Sequence, residues 1–398
     1  MPRQRFDSID ILRGLVMVLM VLDHTRDFVH ADALRFDPTD LTRTTPLLFF
    51  TRWITHFCAP VFVFLAGVGP ALQLDRGRSV PDVGRYLWTR GLWLVLLEFT
   101  VVRFGVFFNF SLAFFGFLQV IWVLGISMIV LAALIRLPTT AILAVGAVMV
   151  AGHNLLDPIQ VLPTAPNQTV VGLGGSLWSI LHQSNPIQPF GASMPFGFVA
   201  YPLVPWIGVM ALGFVFGGAY VRCGDRPRWL AKWGAGLTLA FIAIRAANFY
   251  GDPSTWAVQG SGTFTLLSFL NTTKYPPSLL YLLMTLGPGL LFLALLERGS
   301  AWPGRRMLLL FGQVPLFFYL LQWYVAHGLG IALSAAAGKP ISGYFLDPPE
   351  VFNPPPGSGF DLAMVYPVWV IAVAVLYFPC RWWAEQKKVR TEWWVRYL

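Results

Sequence analysis

Charge is scarce in this chain. Asp, Glu, Lys and Arg make up 12% of its 398 residues, about half the share of an ordinary soluble domain. Cysteine is scarcer: Cys58, Cys223 and Cys380 are scattered and odd in number, which leaves no disulfide framework or cysteine metal site. Period-two alternation over strand-length segments is missing, so an outer-membrane barrel is excluded. No H-E-x-x-H or related spacing joins His30, His56, His153, His182 and His327, and no metal is expected. The net charge of +9 does not point to nucleic acid, because the excess cations fall in short loops between apolar runs.

What fills the chain instead is hydrophobic: 56% of residues and a mean hydropathy of +0.63. The apolar stretches are continuous and about 20 residues long, the length that crosses a bilayer as a helix. We read an all-α polytopic membrane protein, one domain over residues 1–398, with about ten helices near 9–28, 57–74, 84–104, 112–135, 137–156, 198–221, 229–250, 276–297, 307–333 and 364–382. Met1-Pro2-Arg3-Gln4-Arg5 looks like the start of a signal peptide. The next segment holds Asp10, Arg13 and Asp23 and lacks a small-residue cleavage site, so it is expected to stay as a first helix.

Cations set the expected orientation. Arg3, Arg5, Arg76, Arg78, Arg85, Arg136, Arg222, Arg226, Arg228, Lys232, Arg298, Arg305, Arg306 and the tail Arg381, Lys387, Lys388, Arg390 and Arg396 fall on one side. The other side has far fewer, which predicts an inner (plasma) membrane protein with both termini cytoplasmic. The outer connections, about 28–56, 157–197, 251–275 and 334–363, are long and rich in Pro, Gly, Asn and Trp, as in Asp347-Pro348-Pro349-Glu350. They retain Trp178, Phe190, Phe196, Trp256 and Phe264, so folded loops roofing an outward-facing site are expected.

The first helix holds the most informative pair. Arg13 and His24 are eleven positions apart, which places them within about 20° on one helix face and about 16 Å apart along the axis. Ionisable groups at such depth face a protein interior or a polar cavity. The pattern Arg13-x10-His24 resembles the transmembrane acyltransferase superfamily, most closely its bacterial heparan-α-glucosaminide N-acetyltransferase-like branch. The resemblance also rests on Asp10-Ile11-Leu12-Arg13-Gly14-Leu15, Phe57-Cys58-Ala59-Pro60-Val61-Phe62-Val63-Phe64-Leu65-Ala66-Gly67, Tyr201-Pro202-Leu203-Val204-Pro205-Trp206-Ile207-Gly208 and Lys274-Tyr275-Pro276-Pro277-Ser278-Leu279. It implies an acyl-CoA donor, acetyl-CoA first, entering from the cytoplasm. An acceptor carbohydrate or glycoconjugate would bind at the opposite mouth, with a histidine there as base.

The residues carry the same chemistry by themselves. Acyl transfer needs a base within reach of the acceptor, and neutral imidazole suits it. His24 is the catalytic candidate, against the plainer reading of a solvated histidine at a helix end. Asp23 is adjacent, but neighbouring helical residues point about 100° apart, so its role as the orienting carboxylate is not assured. Glu98, mid-helix, requires a partner, His24 or Arg103, either as a structural ion pair or as a tuner of the base. Arg13 pairs with Asp10 at the boundary or lines the donor channel, which Arg85 and Arg90 approach from the cytoplasm. Guanidinium forks match the phosphates of coenzyme A. For the acceptor we single out His56, Asn271, Lys274, Tyr275 and His327. Lys274 either stabilises an oxyanion or snorkels to the interface. The reading is a membrane acyltransferase moving an acyl group, acetyl first, to a sugar hydroxyl or amine on the outer side. Its rivals are a transporter or flippase and a non-catalytic envelope-assembly protein. A homo-oligomer is left open.

Overall fold

The computed structural model describes residues 6–33, 35–111, 113–163, 169–191, 196–299, 302–347, 350, 354–390, 392, 395 and 397. Arg3, Arg5 and Arg396, the start of the expected fourth helix at Leu112, and Pro348-Pro349 lie outside the described residues.

The chain is mostly helical. Helix α1 (Asp7–Val29) is followed by α2 (Pro46–Thr55) and α3 (Cys58–Asp75). Helix α4 (Val80–Leu97) runs through a π-turn at Glu98–Val102 into α5 (Arg103–Phe107). Strand β1 (Phe114–Leu118) leads into α6 (Val120–Leu134) and α7 (Thr139–Ala151), which ends in a 3-10 turn at His153–Leu156. Strand β2 (Val170–Val171), helix α8 (Leu173–His182), β3 (Pro186–Gln188) and β4 (Phe196–Val199) form the next connection. Then come α9 (Leu203–Arg222), α10 (Arg226–Ala247), α11 (Gly262–Leu270) and α12 (Leu279–Glu297). The chain closes with α13 (Arg305–Gln313), α14 (Pro315–Ala336) and α15 (Leu362–Val389).

Six segments among the described residues are long and apolar enough to cross a membrane: Pro46–Asp75, α9, α10, α12, α14 and α15. They mark an integral membrane protein, but the expected ten spans are met only in part. Helices α6 and α7 have 15 and 13 residues, about 22 and 20 Å at 1.5 Å per residue, short of a hydrocarbon core of about 30 Å.

The helix starts follow local chemistry. Thr45, Ser79, Asp225 and Ser278 each accept a hydrogen bond from a backbone N–H in the first turn of α2, α4, α10 and α12. Proline opens α2, α4, α10 and α14, where its missing N–H costs nothing. The expected helix 307–333 therefore divides before Pro315 into α13 and α14. The expected helix 112–135 instead begins as a strand, Phe114-Phe115-Gly116-Phe117-Leu118, and becomes helical only at Val120.

An all-α reading is thus incomplete. A four-stranded sheet, order β1-β4-β3-β2, pairs β1 with β4 and β2 with β3 in parallel, and β3 with β4 antiparallel. Leu118, Val170, Ile187 and Val199 form its buried core. The expected outer loops do collect at one end of the bundle. The Ala31 N–H donates to the Phe360 carbonyl, Asn271 to the Thr39 carbonyl, and the Leu279 N–H to Asn154. At the opposite end, the Ser8 and Tyr220 hydroxyls both donate to Glu297.

Helix α1 crosses the centre. Against α13 it packs backbone to backbone: a Cβ at Gly14 would lie 1.9 Å from the Leu308 carbonyl oxygen, and one at Gly312 would lie 1.8 Å from that of Asp10. Only hydrogen fits at these crossings, as in other membrane helix pairs built on small residues.

Candidate active site

Two cavities meet α1 near its two ends. The one near its C-terminal end, about 270 Å³, is lined by Asp23, His24, Arg26, Asp27, Arg52, Gln119, Lys274, Tyr275 and Trp323 under the strands' Phe117 and Phe198. A neighbouring hollow of about 290 Å³ shares Arg52, Lys274 and Tyr275 and adds His56 and Asn271. The cavity near the N-terminal end, about 180 Å³, is lined by Arg13, Gln73, Tyr86, Arg90 and Tyr319 among apolar side chains. A small pocket of about 30 Å³ beside His24 is also bordered by Met20, Cys58, Gln119 and Lys274.

His24 is held by stacking rather than by a carboxylate. Its ring lies 3.6 Å from the Trp323 ring at 20°, and its Nδ1 is buried without a hydrogen-bond partner among the described residues. Asp23 is occupied elsewhere. It accepts from Arg52 at 2.5 Å and pairs with Arg26 at 3.0 Å, and Arg26 also donates to Asp27 at 2.7 Å. This network ties the end of α1 to α2. The expected alignment of Asp23 with His24 is not formed, because the carboxylate faces two guanidiniums. Arg26, which sequence reasoning passed over, is 3% exposed, and its Nε and Nη1 have no partner among the described residues.

Lys274 sits 5.1 Å from the Tyr275 ring centre, and Arg52 reaches the Tyr275 hydroxyl at 3.4 Å. Burial opposes ionisation of that phenol, but Lys274 and Arg52 outweigh it and hold the group below its ordinary range. His56 lines the side hollow while its carbonyl accepts from Tyr281 at 2.8 Å. Asn271 donates to the Thr39 carbonyl at 3.0 Å, and its own carbonyl accepts from Arg245.

Two candidates are drawn away from the cavities. Glu98 accepts the Trp122 N–H at 2.8 Å. Gln119, at the start of α6, offers no side-chain cap, so the Glu98 side chain from the α4 continuation caps α6 through the Trp122 N–H. Among the described residues it is bonded to neither His24 nor Arg103. Arg103 binds Asp347 at 3.2 Å and the carbonyls of Asn109, Ser111 and Phe114. His327 is stacked between Phe28 and Phe108, at 4.3 and 3.9 Å, with Nδ1 3.1 Å from the Gly105 carbonyl. It packs α14 to α1 and lines none of these cavities.

At the other cavity, Arg13 donates to Asp10 at 3.0 Å and to the Gly312 carbonyl at 3.1 Å. Arg90 lines the same space and donates to the Tyr397 carbonyl. Arg85 is exposed and lies outside it.

Residues 5–250 match the family model described as the heparan-alpha-glucosaminide N-acetyltransferase catalytic region, well over half of the chain. The chain belongs to this family. No curated protein matches it. The family assignment implies N-acetyltransferase activity, and with the membrane helices it implies a bilayer and a sugar acceptor. The match takes in Arg13, His24, Arg52 and Arg90. Lys274, Tyr275, Tyr319 and Trp323, which also line the two cavities, lie beyond residue 250.

One further convergence has no counterpart in the sequence reading. His153, Asp157 and His182 bring one ligand atom each within 4.8 Å of one another. The only sequence signal for it is the spacing His153-x3-Asp157.

Proposed function

We propose that this protein transfers the acetyl group of acetyl-CoA to an amine or hydroxyl of a sugar, with His24 as general base. The carrying observation is the His24 ring, stacked on Trp323 and bordering both the cavity of about 270 Å³ and the small pocket beside it. An acceptor in the His24 cavity would lose its proton to the imidazole as its nitrogen or oxygen attacks the thioester carbon. The new bond forms, the carbon–sulfur bond breaks, and the proton leaves with the coenzyme A thiolate. Lys274 and Gln119, both lining the cavity and the pocket beside it, suit the negative charge that develops on the carbonyl oxygen.

On this reading the donor enters at the Arg13 end. Arg13 and Arg90 would meet its phosphates, and the pantetheine arm would run about 16 Å along α1 towards His24. Asp23 keeps Arg26 and Arg52 in place rather than orienting the base. Cation bias puts the Arg13 end in the cytoplasm and the His24 end outside, in the inner (plasma) membrane. Proteoliposomes supplied with radiolabelled acetyl-CoA and glucosamine test the activity. Labelled N-acetylglucosamine from the wild type and none from His24→Gln is the expected result. Equal product from the two would remove His24 as the base.

A further inference from the structure

We propose that His153, Asp157 and His182 form a divalent metal site, with zinc the best-suited ion. It fastens the end of α7 to the end of α8, away from the His24 cavity. Helix α7 stops at Ala151, and the following 3-10 turn carries His153 inward and Asp157 just behind it. Helix α8 ends on His182. His182 Nε2 is 3.2 Å from Asp157 Oδ1. Ligand atoms around a tetrahedral ion with bonds of about 2.0–2.2 Å sit about 3.3–3.6 Å apart, so this edge is already at coordination distance. The two imidazole rings lie 5.5 Å apart at 69°.

The satisfaction of the polar atoms points the same way. His153 and His182 are 2% and 1% exposed. Nδ1 of His182 is buried with no hydrogen-bond partner among the described residues, and neither ring nitrogen of His153 makes a hydrogen bond of good geometry, the Pro277 backbone being its neighbour. Two buried imidazoles facing one carboxylate without filling their own valences is costly in an ordinary core. An ion accepting Nε2 of His182 and one nitrogen of His153 would relieve part of that cost. The second shell is present: Asn154 donates to the other Asp157 oxygen at 2.9 Å, and its own amide oxygen accepts the Leu279 N–H at 2.9 Å. That fixes the carboxylate against the start of α12. Two imidazoles and one carboxylate suit zinc and related first-row ions better than calcium or magnesium, and leave a fourth position for water.

The site would close the segment that carries β2 and α8. Strand β2 pairs with β3, and β3 with β4, whose Phe198 overhangs the His24 cavity. The metal would therefore anchor the roof without touching reactants.

The test uses the full-length protein in detergent, with no histidine tag, stripped with a chelator and titrated with Co²⁺. Saturable uptake of one ion per chain, with the visible bands of a low-coordinate nitrogen–oxygen site and displacement by Zn²⁺, is expected. His153→Ala and His182→Ala should weaken uptake at least tenfold, since even second-shell losses cost that much. Asp157→Asn keeps the side-chain shape, and in it Zn²⁺ should no longer raise the unfolding temperature as it does in the wild type. Absence of a saturable cobalt spectrum, or equal affinity in Asp157→Asn and wild type, overturns the site.

Discussion

The two ends of α1 carry similar residues and use them differently. Near its C-terminal end, Asp23, Arg26 and Asp27 are bound to one another and to Arg52, while His24 among them is stacked on Trp323 and borders the cavity. Near its N-terminal end, Arg13 shares itself between Asp10 and the Gly312 carbonyl and still borders a cavity. Charge inside a membrane protein therefore does not by itself mark chemistry. Ion pairs there hold helices together, and reactivity is to be sought in a group that borders a cavity without being committed to such a pair.

The sharpest way to break this contrast is His24→Gln. It keeps a polar side chain against Trp323 but cannot take and return a proton, so kcat should fall roughly 10²–10⁴-fold with the protein still folded. A fall of twofold or less, measured with labelled acetyl-CoA, would make the ring structural.

Asp23→Asn attacks the saturated network instead. It leaves Arg26 and Arg52 without their shared carboxylate, and removing one member of a buried pair costs about 3–5 kcal/mol. The expected outcome is a lower unfolding temperature in detergent, with loss of activity following loss of folded protein. An unchanged unfolding temperature would place the network outside the fold's support.

Arg13→Ala and Arg90→Ala sharpen the other end. Charged hydrogen bonds to phosphate contribute about 1.5–3 kcal/mol each, so coenzyme A affinity should fall roughly ten- to a hundredfold while acceptor binding holds. Isothermal titration measures both. Unchanged donor affinity in both variants would move the donor elsewhere.

The smallest effect is expected at Glu98. Glu98→Gln keeps the bond to the Trp122 N–H and the shape of the side chain, so stability should change by less than about 1 kcal/mol. Specific activity should change less than tenfold. A collapse of kcat with an unchanged unfolding temperature would return Glu98 to the chemistry.

Much of the helical framework was legible because apolar runs and proline boundaries are local signals. α1, α3, α9, α12 and α15 stand close to where hydropathy alone puts them. The strand at Phe114–Leu118 was not, since a short apolar run before a helix has no period of its own. In the candidate site, the face shared by Arg13 and His24 followed from helix geometry. Arg26, Trp323 and Gln119 were not legible, because their place in the cavity depends on which helix lies beside α1.

The sequence by itself determined a membrane-embedded helical protein, the polar face of its first helix and the family to which it belongs. The first two are written in composition and in spacing along one element, and the third in blocks of residues spread along the chain. Only the tertiary structure decided that Asp23 serves two arginines, that Glu98 caps α6, that His327 is packed between two phenylalanines, and that His153, Asp157 and His182 converge. Those outcomes turn on contacts between residues tens to hundreds of positions apart, and which partner a buried charge or imidazole finds is set by the crossing of helices and not by its neighbours in the chain.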